Sequence, residues 1–289
     1  MIAVKACTLA ERGVLKVGGP DARSFLQGLI TNDVEAAAGA RVVYAVLLTP
    51  QGKFLFDFFM SADPADKQAL LLDCDGARIA DLVKRLTMYK LRAKVEIEDM
   101  SVTHGVAVYW HEDGTPLAAD GPMLPDPRLP AMGARAILPR TALPAGGADG
   151  WHRHRIGLGV GDAAEDFEPD RTFPLEVNLD ALHGIDFHKG CFVGQEVTSR
   201  TKRRGNVRKR LLPCTVEGDL PTPGTPVKAA MREVGTVFSG DGETARVLAL
   251  LRLDLIKDAT LEAGPSGLTP DIPGWLAPEM KAEGDDDGA

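Results

Sequence analysis

The sequence lacks long apolar runs, nucleotide-binding glycine motifs and paired cysteines, and each absence excludes a class of protein. No run approaches the ~20 apolar residues that cross a bilayer, and charged residues interrupt the N-terminal segment where a signal peptide would be apolar. There is no G-x-G-x-x-G or P-loop, so a nucleotide cofactor is not indicated. The four cysteines are scattered without a C-x-x-C pair, which argues against a zinc ribbon, a redox dithiol or a secreted disulfide framework. We therefore expect a cytoplasmic protein with no membrane segment.

Negative charge predominates in the sequence as a whole but not in every segment. The 289 residues include 33 Lys and Arg and 41 Asp and Glu, for a net charge of -8. Residues 189–210, however, carry eight basic residues and only one acidic residue, Glu196. This basic run could be a solvated face, an anion site or an RNA-binding strip. No aromatic residues are interleaved to stack bases, which argues against direct nucleic-acid binding.

The hydrophobic pattern predicts an α+β fold. Two apolar runs, 42–48 and 54–60, flank TPQGK, whose proline and glycine suit a type I turn, so a β-hairpin is expected. Apolar residues at helical spacing predict helices near 20–30 and 79–89. A further helix is expected from Gln195 to Arg204, where Gly205 ends it.

The same pattern predicts the domain boundaries. Residues 1–206 form an α+β region, in which roughly 1–110 group with 151–206, while 111–150 form a linking or second subdomain. Short strands separated by glycine and proline predict a β-barrel over 207–265. The acidic tail, 266–289, is rich in proline and glycine and is expected to be disordered.

Two carboxylates stand in positions that need an explanation. Asp57 interrupts the apolar strand FLFDFFM and shares a face with Leu55 and Phe59, so it either faces solvent or lines a pocket, where it needs donors or a shifted pKa. Glu176, in FPLEVNL, either faces water or presents two oxygens to a planar heterocycle that carries two parallel N–H groups. The edge of a pterin ring is such a group.

Cys191 is the cysteine whose surroundings favour reactivity. It lies in HKGCFVGQE, two residues after Lys189 and just before the predicted helix start, and a cation and a helix N-terminus both favour the thiolate. The alternative is a small buried apolar residue. One cysteine is too few to hold an iron–sulfur cluster alone, so no permanent metal is expected.

The block KGCFVGQE, residues 189–196, resembles the K-G-C-x-x-G-Q-E signature of the YgfZ family. These folate-binding proteins are bacterial relatives of a mitochondrial iron–sulfur assembly factor. The match continues through the preceding NLDALHGIDFH and through the basic exit at Arg200, Lys202, Arg204 and Gly205. More diffuse similarity over about residues 5–260 extends to the glycine cleavage T-protein, an aminomethyltransferase. That family usually has two adjacent aspartates where this chain has Asp57 and Phe58, and it lacks the cysteine signature.

The resemblance implies a GcvT/YgfZ-like folate-binding fold with two mixed α/β subdomains arranged as a ring and a C-terminal antiparallel β-barrel. It implies tetrahydrofolate or a derivative as cofactor. The residues expected at the pterin are Tyr44, Asp57, Glu176 and Asn178. The signature site would comprise Lys189, Cys191, Gln195, Glu196 and Arg200, with Cys191 either reacting with a folate-borne one-carbon unit or contacting a cluster transiently.

The function that the resemblance implies is support of [4Fe-4S] cluster assembly, maturation or repair in client enzymes, including tRNA-modifying radical-SAM enzymes. In this interpretation the protein is an accessory factor whose partners are folate and iron–sulfur clients. A folate-dependent aminomethyltransferase is the enzymatic alternative, and an RNA-binding module is the second.

Overall fold

The computed structural model describes residues 3–118, 120–205, 207–257 and 259–284. Contacts divide the chain into two compact units. The first comprises Met1–Trp151 and Leu182–Gln195, and the second comprises His152–Ala181 and Glu196–Ala289. This division differs from the predicted grouping of 1–110 with 151–206, because 111–151 belong to the first unit and most of 152–206 to the second.

The first unit contains two antiparallel sheets with strand orders β3-β4-β5-β2-β6 and β1-β7-β9-β8. Its elements in chain order are β1 (Val4–Leu9), β2 (Arg12–Gly18), α1 (Ala22–Gln27), β3 (Val43–Leu48), β4 (Phe54–Asp63), β5 (Asp66–Asp75), α2 (Ile79–Lys90), β6 (Glu96–Asp99), β7 (His104–His111), β8 (Leu124–Pro125), β9 (Ala134–Pro139) and the start of α3 (Asp149–Gly157). The hairpin predicted from TPQGK is confirmed as β3 and β4, and the predicted helices are confirmed as α1 and α2.

The two faces of β4 have different surroundings. Phe56, Phe58 and Met60 lie in the apolar core that also receives the buried stripe of α2. Because side chains alternate along a strand, Asp57 and Phe59 lie on the opposite face. In the sheet register Phe59 stands between Tyr44 of β3 and Asp73 of β5. Both faces of β4 are buried, so the prediction of a solvent-exposed face does not apply.

The second unit contains a closed six-stranded barrel with strand order β10-β13-β12-β11-β14-β15. After the end of α3, its elements are α4 (Ala163–Asp166), α5 (Gln195–Arg203), β10 (Lys209–Glu217), β11 (Pro226–Ala229), β12 (Arg232–Asp241), β13 (Arg246–Arg252), α6 (Leu253–Ile256), β14 (Leu261–Ala263), β15 (Ser266–Pro270) and α7 (Ala277–Gly284). The predicted α+β class with a C-terminal antiparallel barrel is therefore confirmed, as is the helix at α5.

The predicted disorder from residue 266 onward is wrong for the tail up to residue 284. Strand β15 pairs with β10 and β14 and completes the barrel. Leu268 and Leu276 are buried in the barrel core, so this segment does bury apolar surface despite its composition. Residues 285–289 lie outside the described residues. Within the described ranges, no helix combines the length and the apolarity needed to cross a bilayer.

Candidate functional site

The segment that leads into the cysteine signature is hydrogen-bonded to the turn after α1 in the first unit. The Thr31 hydroxyl donates to the carbonyl oxygen of Gly184 at 2.6 Å, and the Asn32 amide donates to that of His183 at 2.7 Å. In return, the Asp186 backbone N–H donates to the carbonyl of Thr31 at 2.9 Å. These bonds join residues about 150 positions apart and fix the path of the chain before Lys189.

Lys189 anchors the signature loop itself. Its ammonium donates to the carbonyl oxygens of Gln27 at 2.8 Å, Ile30 at 2.7 Å and Asn32 at 2.9 Å. Three acceptors use all three hydrogens of a protonated lysine. Burial lowers the pKa of Lys189 to about 8. The sequence predicts that this cation favours the Cys191 thiolate, whereas its hydrogen bonds go to the backbone at the end of α1 and in the turn after it.

Gly194 anchors the other end of the loop. Its φ of +82° lies in the left-handed region, and a Cβ there would stand 2.6 Å from the carbonyl oxygen of Thr49 and 3.0 Å from the Cα of Gly52. The loop backbone therefore packs directly against the β3–β4 turn, and only glycine permits that approach. Gly190 differs, because a Cβ added there meets no heavy atom within 4 Å.

Cys191 lies between these two anchors and is exposed. The next residue, Phe192, is buried, and its ring lies 5.5 Å from the Lys189 ammonium. The other three cysteines are buried, and burial raises the pKa of Cys7 to about 11, that of Cys214 to about 12 and that of Cys74 further. Cys191 is thus the thiol that a partner can reach, and access is one condition of reactivity.

The remaining signature residues lie on α5. Gln195 starts the helix, and its backbone N–H donates to the carbonyl of Phe192 at 3.2 Å. Glu196 and Arg200 are one turn apart, so they share a face, and both line a shallow pocket of about 240 Å³. Lys202, from the basic exit, forms an ion pair with Asp180 at 2.9 Å and another with Glu279 of α7.

Tyr44 and Asp57 are buried in the first unit, and their contacts are made within the protein. The Tyr44 ring stacks on Phe59 with centroids 4.6 Å apart. Both carboxylate oxygens of Asp57 accept from the Arg12 guanidinium, at 3.2 and 3.3 Å. Of the two expectations for Asp57, a solvent-exposed residue is wrong, and the donor that it needed is an arginine.

This ion pair is part of a buried network of six charges. Its members are Arg12, Asp57, Asp73, Asp126, Arg128 and Arg135. Asp73 accepts from Arg12 at 2.6 Å and from Arg135 at 3.0 Å. Asp126 accepts from Arg128 at 2.8 Å and contacts Arg135 at 3.4 Å. Although burial alone raises the pKa of Asp126, the two arginines hold it below its usual range.

The three guanidinium groups surround one aromatic ring. Their carbon atoms lie 5.6, 4.7 and 3.7 Å from the Phe59 centroid for Arg12, Arg128 and Arg135 respectively, which are cation–π distances. Of these six charges, only Asp57 is predicted from the sequence as a residue that needs a partner. Asp73 in LLLDCD and Arg135 in ARAILP also interrupt apolar runs, and charges on apolar strands must pair with one another when they are buried.

Glu176 and Asn178 belong to the second unit and have different surroundings. The Glu176 side chain is half-buried and has no hydrogen-bond donor among the described residues; burial raises its pKa, an effect that Lys209 opposes. Asn178 is fully buried with a left-handed φ of +63°. Its amide donates to the carbonyl of Leu211 at 2.7 Å, a structural contact with the start of the barrel.

Comparison with known protein families matches residues 208–278 to the C-terminal β-barrel domain of CAF17. The iron–sulfur cluster assembly factor IBA57 of Mus musculus is 34% identical, over 92% of this chain and 84% of the relative. The IBA57 homolog of Mycosarcoma maydis is 37% identical over 81% of this chain, which spans 62% of that relative's length.

Among solved structures, the aminomethyltransferase T of Bartonella henselae has the same fold. The TM-score is 0.73, and the superposition covers 94% of this chain and 86% of the transferase. Sequence identity is 12%, so the likeness extends to the fold alone. The GcvT-like fold that the resemblance implied is therefore confirmed.

The relatives also correct two expectations. Both IBA57 relatives are named as mitochondrial proteins, so the predicted cytoplasmic location is wrong. The scattered cysteines argued against a secreted disulfide framework, and that argument does not distinguish one reducing compartment from another. The iron–sulfur assembly part of the family resemblance is confirmed, while the relatives' names support IBA57 and not the narrower YgfZ assignment.

We predict that Gly194→Ala lowers the free energy of unfolding by at least ~2 kcal/mol, since the left-handed backbone and the contact with Thr49 both oppose a Cβ. Gly190→Ala is the matched control in the same loop and should change stability by less than ~0.5 kcal/mol. Urea denaturation followed by circular dichroism measures both. Equal effects of the two substitutions would contradict the anchoring role of Gly194.

Proposed function

The chain belongs to the family of IBA57 iron–sulfur cluster assembly factors, and on that basis we propose that it acts in the maturation of iron–sulfur proteins, with Cys191 as the thiolate that contacts the cluster. The observation that carries the proposal is the exposed thiol between two anchors, the Lys189 ammonium and the Gly194 backbone. A thiol whose neighbouring residues are held in place is preorganised to bind a metal.

The cluster is cargo that this chain shares with another molecule. Iron–sulfur clusters are usually held by several thiolates. Here Cys7, Cys74 and Cys214 are buried, and burial disfavours their thiolate forms, so Cys191 is the cysteine that we assign as the ligand from this chain. The remaining ligands come from a carrier or a client protein.

Transfer through Cys191 is a ligand exchange without electron transfer. The Cys191 thiolate forms one iron–sulfur bond, and one bond between that iron and a carrier thiolate breaks. The departing thiolate takes up the proton that the Cys191 thiol released. The clients that we propose are [4Fe-4S] enzymes, among them tRNA-modifying radical-SAM enzymes.

We also propose that the chain binds a tetrahydrofolate derivative. The candidate residues in the first unit and those in the second differ in how well they suit this ligand. The Glu176 carboxylate is half-buried without a donor from the described residues, which suits the paired N–H groups of a pterin edge. Asp57 already accepts from Arg12, and Tyr44 is buried with its ring stacked on Phe59, so both already have partners within the protein. The proposal therefore assigns the pterin edge to Glu176. When bound, the folate would carry one-carbon units.

Cys191→Ser should abolish client maturation, because the side chain loses the sulfur that binds iron. The fold should stay unchanged, because the side chain is exposed. The measurement is the activity of an apo [4Fe-4S] client after incubation with a cluster donor and the purified chain. Gly190→Ala, which leaves the thiol in place, is the control and should retain activity. Wild-type maturation by Cys191→Ser would remove the thiolate from the proposal.

Glu176→Gln should weaken tetrahydrofolate binding by about 1.5–3 kcal/mol, the cost of losing hydrogen bonds to a charged acceptor. Isothermal titration calorimetry measures the change. Glu168→Gln is the matched control, since Glu168 is an exposed carboxylate in the same unit, paired with the exposed Arg171. If Glu176→Gln binds as the wild type does, the pterin is not held by this residue.

The same substitution should stabilise the fold at neutral pH. Burial raises the pKa of Glu176, so the folded state prefers the protonated form and the carboxylate destabilises it above that pKa. The gain from Glu176→Gln should therefore be largest near pH 7.5 and should shrink as the pH falls through the raised pKa toward the unfolded value of about 4.3. Urea denaturation at pH 7.5 and at pH 4.5 tests the sign, and a gain that grows on acidification would contradict it.

A further inference from the structure

The two sheets of the first unit enclose a cleft that none of the signature residues line. Its volume is about 900 Å³, within the range of small-molecule sites. One wall comes from β2, β4 and β5 of the five-stranded sheet, and the other from β7, β8 and β9. We propose that this cleft binds an amphipathic organic anion, independently of the cysteine loop and of Glu176.

The cleft begins where the six-charge network ends. Arg135 of β9 reaches across to Asp73 of β5 and holds the sheets together there. Two residues along β4 from Phe59, the same face carries the small side chain of Ser61. Facing sheets usually interdigitate their side chains about 10 Å apart, and small residues beyond the network leave the gap open.

The walls of the cleft provide an apolar surface for the body of a ligand. Leu71 contributes from one sheet, and Leu124 and Ile137 contribute from the other. Met100 lies between them along the chain and lines the same space. Apolar side chains from two opposed sheets suit a flat or elongated apolar group.

The polar groups of the cleft favour a negative charge at its rim. Asp63, the carboxylate in its lining, is bonded to Lys16 at 2.7 Å and is thereby neutralised. Lys67 is exposed and lines the cleft. Arg23 also lines it, but its guanidinium already contacts Glu35 at 3.7 Å and donates to the carbonyls of Val34 and Ala37, so Lys67 is the cation on which the proposal rests. An anionic group would pair with Lys67 while the apolar body enters the cleft.

Ser61 marks the inner end of the cleft. It is 9% exposed, and its hydroxyl has no hydrogen-bond partner within the described part of the chain. Together with Leu124 and Ile137, it also lines a small space of about 20 Å³ that reaches Asp73 and Arg135. A ligand therefore meets a hydroxyl at the point where the cleft approaches the network.

The test uses 1-anilinonaphthalene-8-sulfonate as the amphipathic anion and N-phenyl-1-naphthylamine as its neutral counterpart. Fluorescence titration of the full chain should show saturable binding of the sulfonate and weaker binding of the neutral compound. Lys67→Glu should weaken sulfonate binding about tenfold. Lys84→Glu on α2 is the matched control, because it makes the same charge change at an exposed site outside the cleft, and it should change binding less than twofold.

Leu71→Trp provides a second test, since it fills the cleft from the apolar wall. Saturable binding should be lost while circular dichroism stays that of the wild type. Equal effects of Lys67→Glu and Lys84→Glu, equal affinity for the two probes, or binding that survives Leu71→Trp in the folded protein would each overturn the proposal. Neither a cluster nor folate is present in these titrations, so their outcome is separate from that of the proposed function.

Discussion

The pairing of buried charges around Phe59 is the constraint on which the first unit depends. Three arginines and three aspartates are almost fully removed from water, and each must keep a partner there. Removing one member of such a buried pair typically costs about 3–5 kcal/mol, because the other charge is left uncompensated. The network links β2, β4 and β5 to the second sheet through the Arg135–Asp73 pair, and Asp126 holds Arg135 from the other side, so the network sets where the sheets meet.

The network also involves two residues that the family resemblance implies at the pterin. Asp57 is an arginine partner, and Tyr44 covers one side of Phe59. In the cysteine signature, too, some residues make contacts within the protein and one is exposed. Lys189 and Gly194 connect the loop to the α1 turn and to the β3–β4 turn, while Cys191 alone among the four cysteines is exposed. The residues that fix the conformation of this short motif are therefore not the residue that exposes its thiol.

Local patterns predicted the elements well and the tail poorly. The β3–β4 hairpin, α1, α2, α5 and the barrel follow from periodicity and turn residues, which act over a few positions. The segment after residue 266 has the composition of a disordered tail, yet β15 closes the barrel because β10 and β14 offer it free edges. Composition measures what a segment can bury by itself, and it omits what neighbouring strands provide.

Patterns among neighbouring residues predicted the element types and the cysteine motif, and the family resemblance predicted the GcvT-like fold. Strand alternation also placed Asp57 on a definite face of β4. The groups opposite that face are known only from the folded chain, because Arg12 and Asp57 are 45 positions apart and Arg135 and Asp73 are 62 apart. Lys189 finds the carbonyl of Gln27 across 162 positions. Ion pairs and the hydrogen bonds of a buried lysine form between groups that folding brings together. The short-range periodicity of a sequence does not show which distant residues will meet.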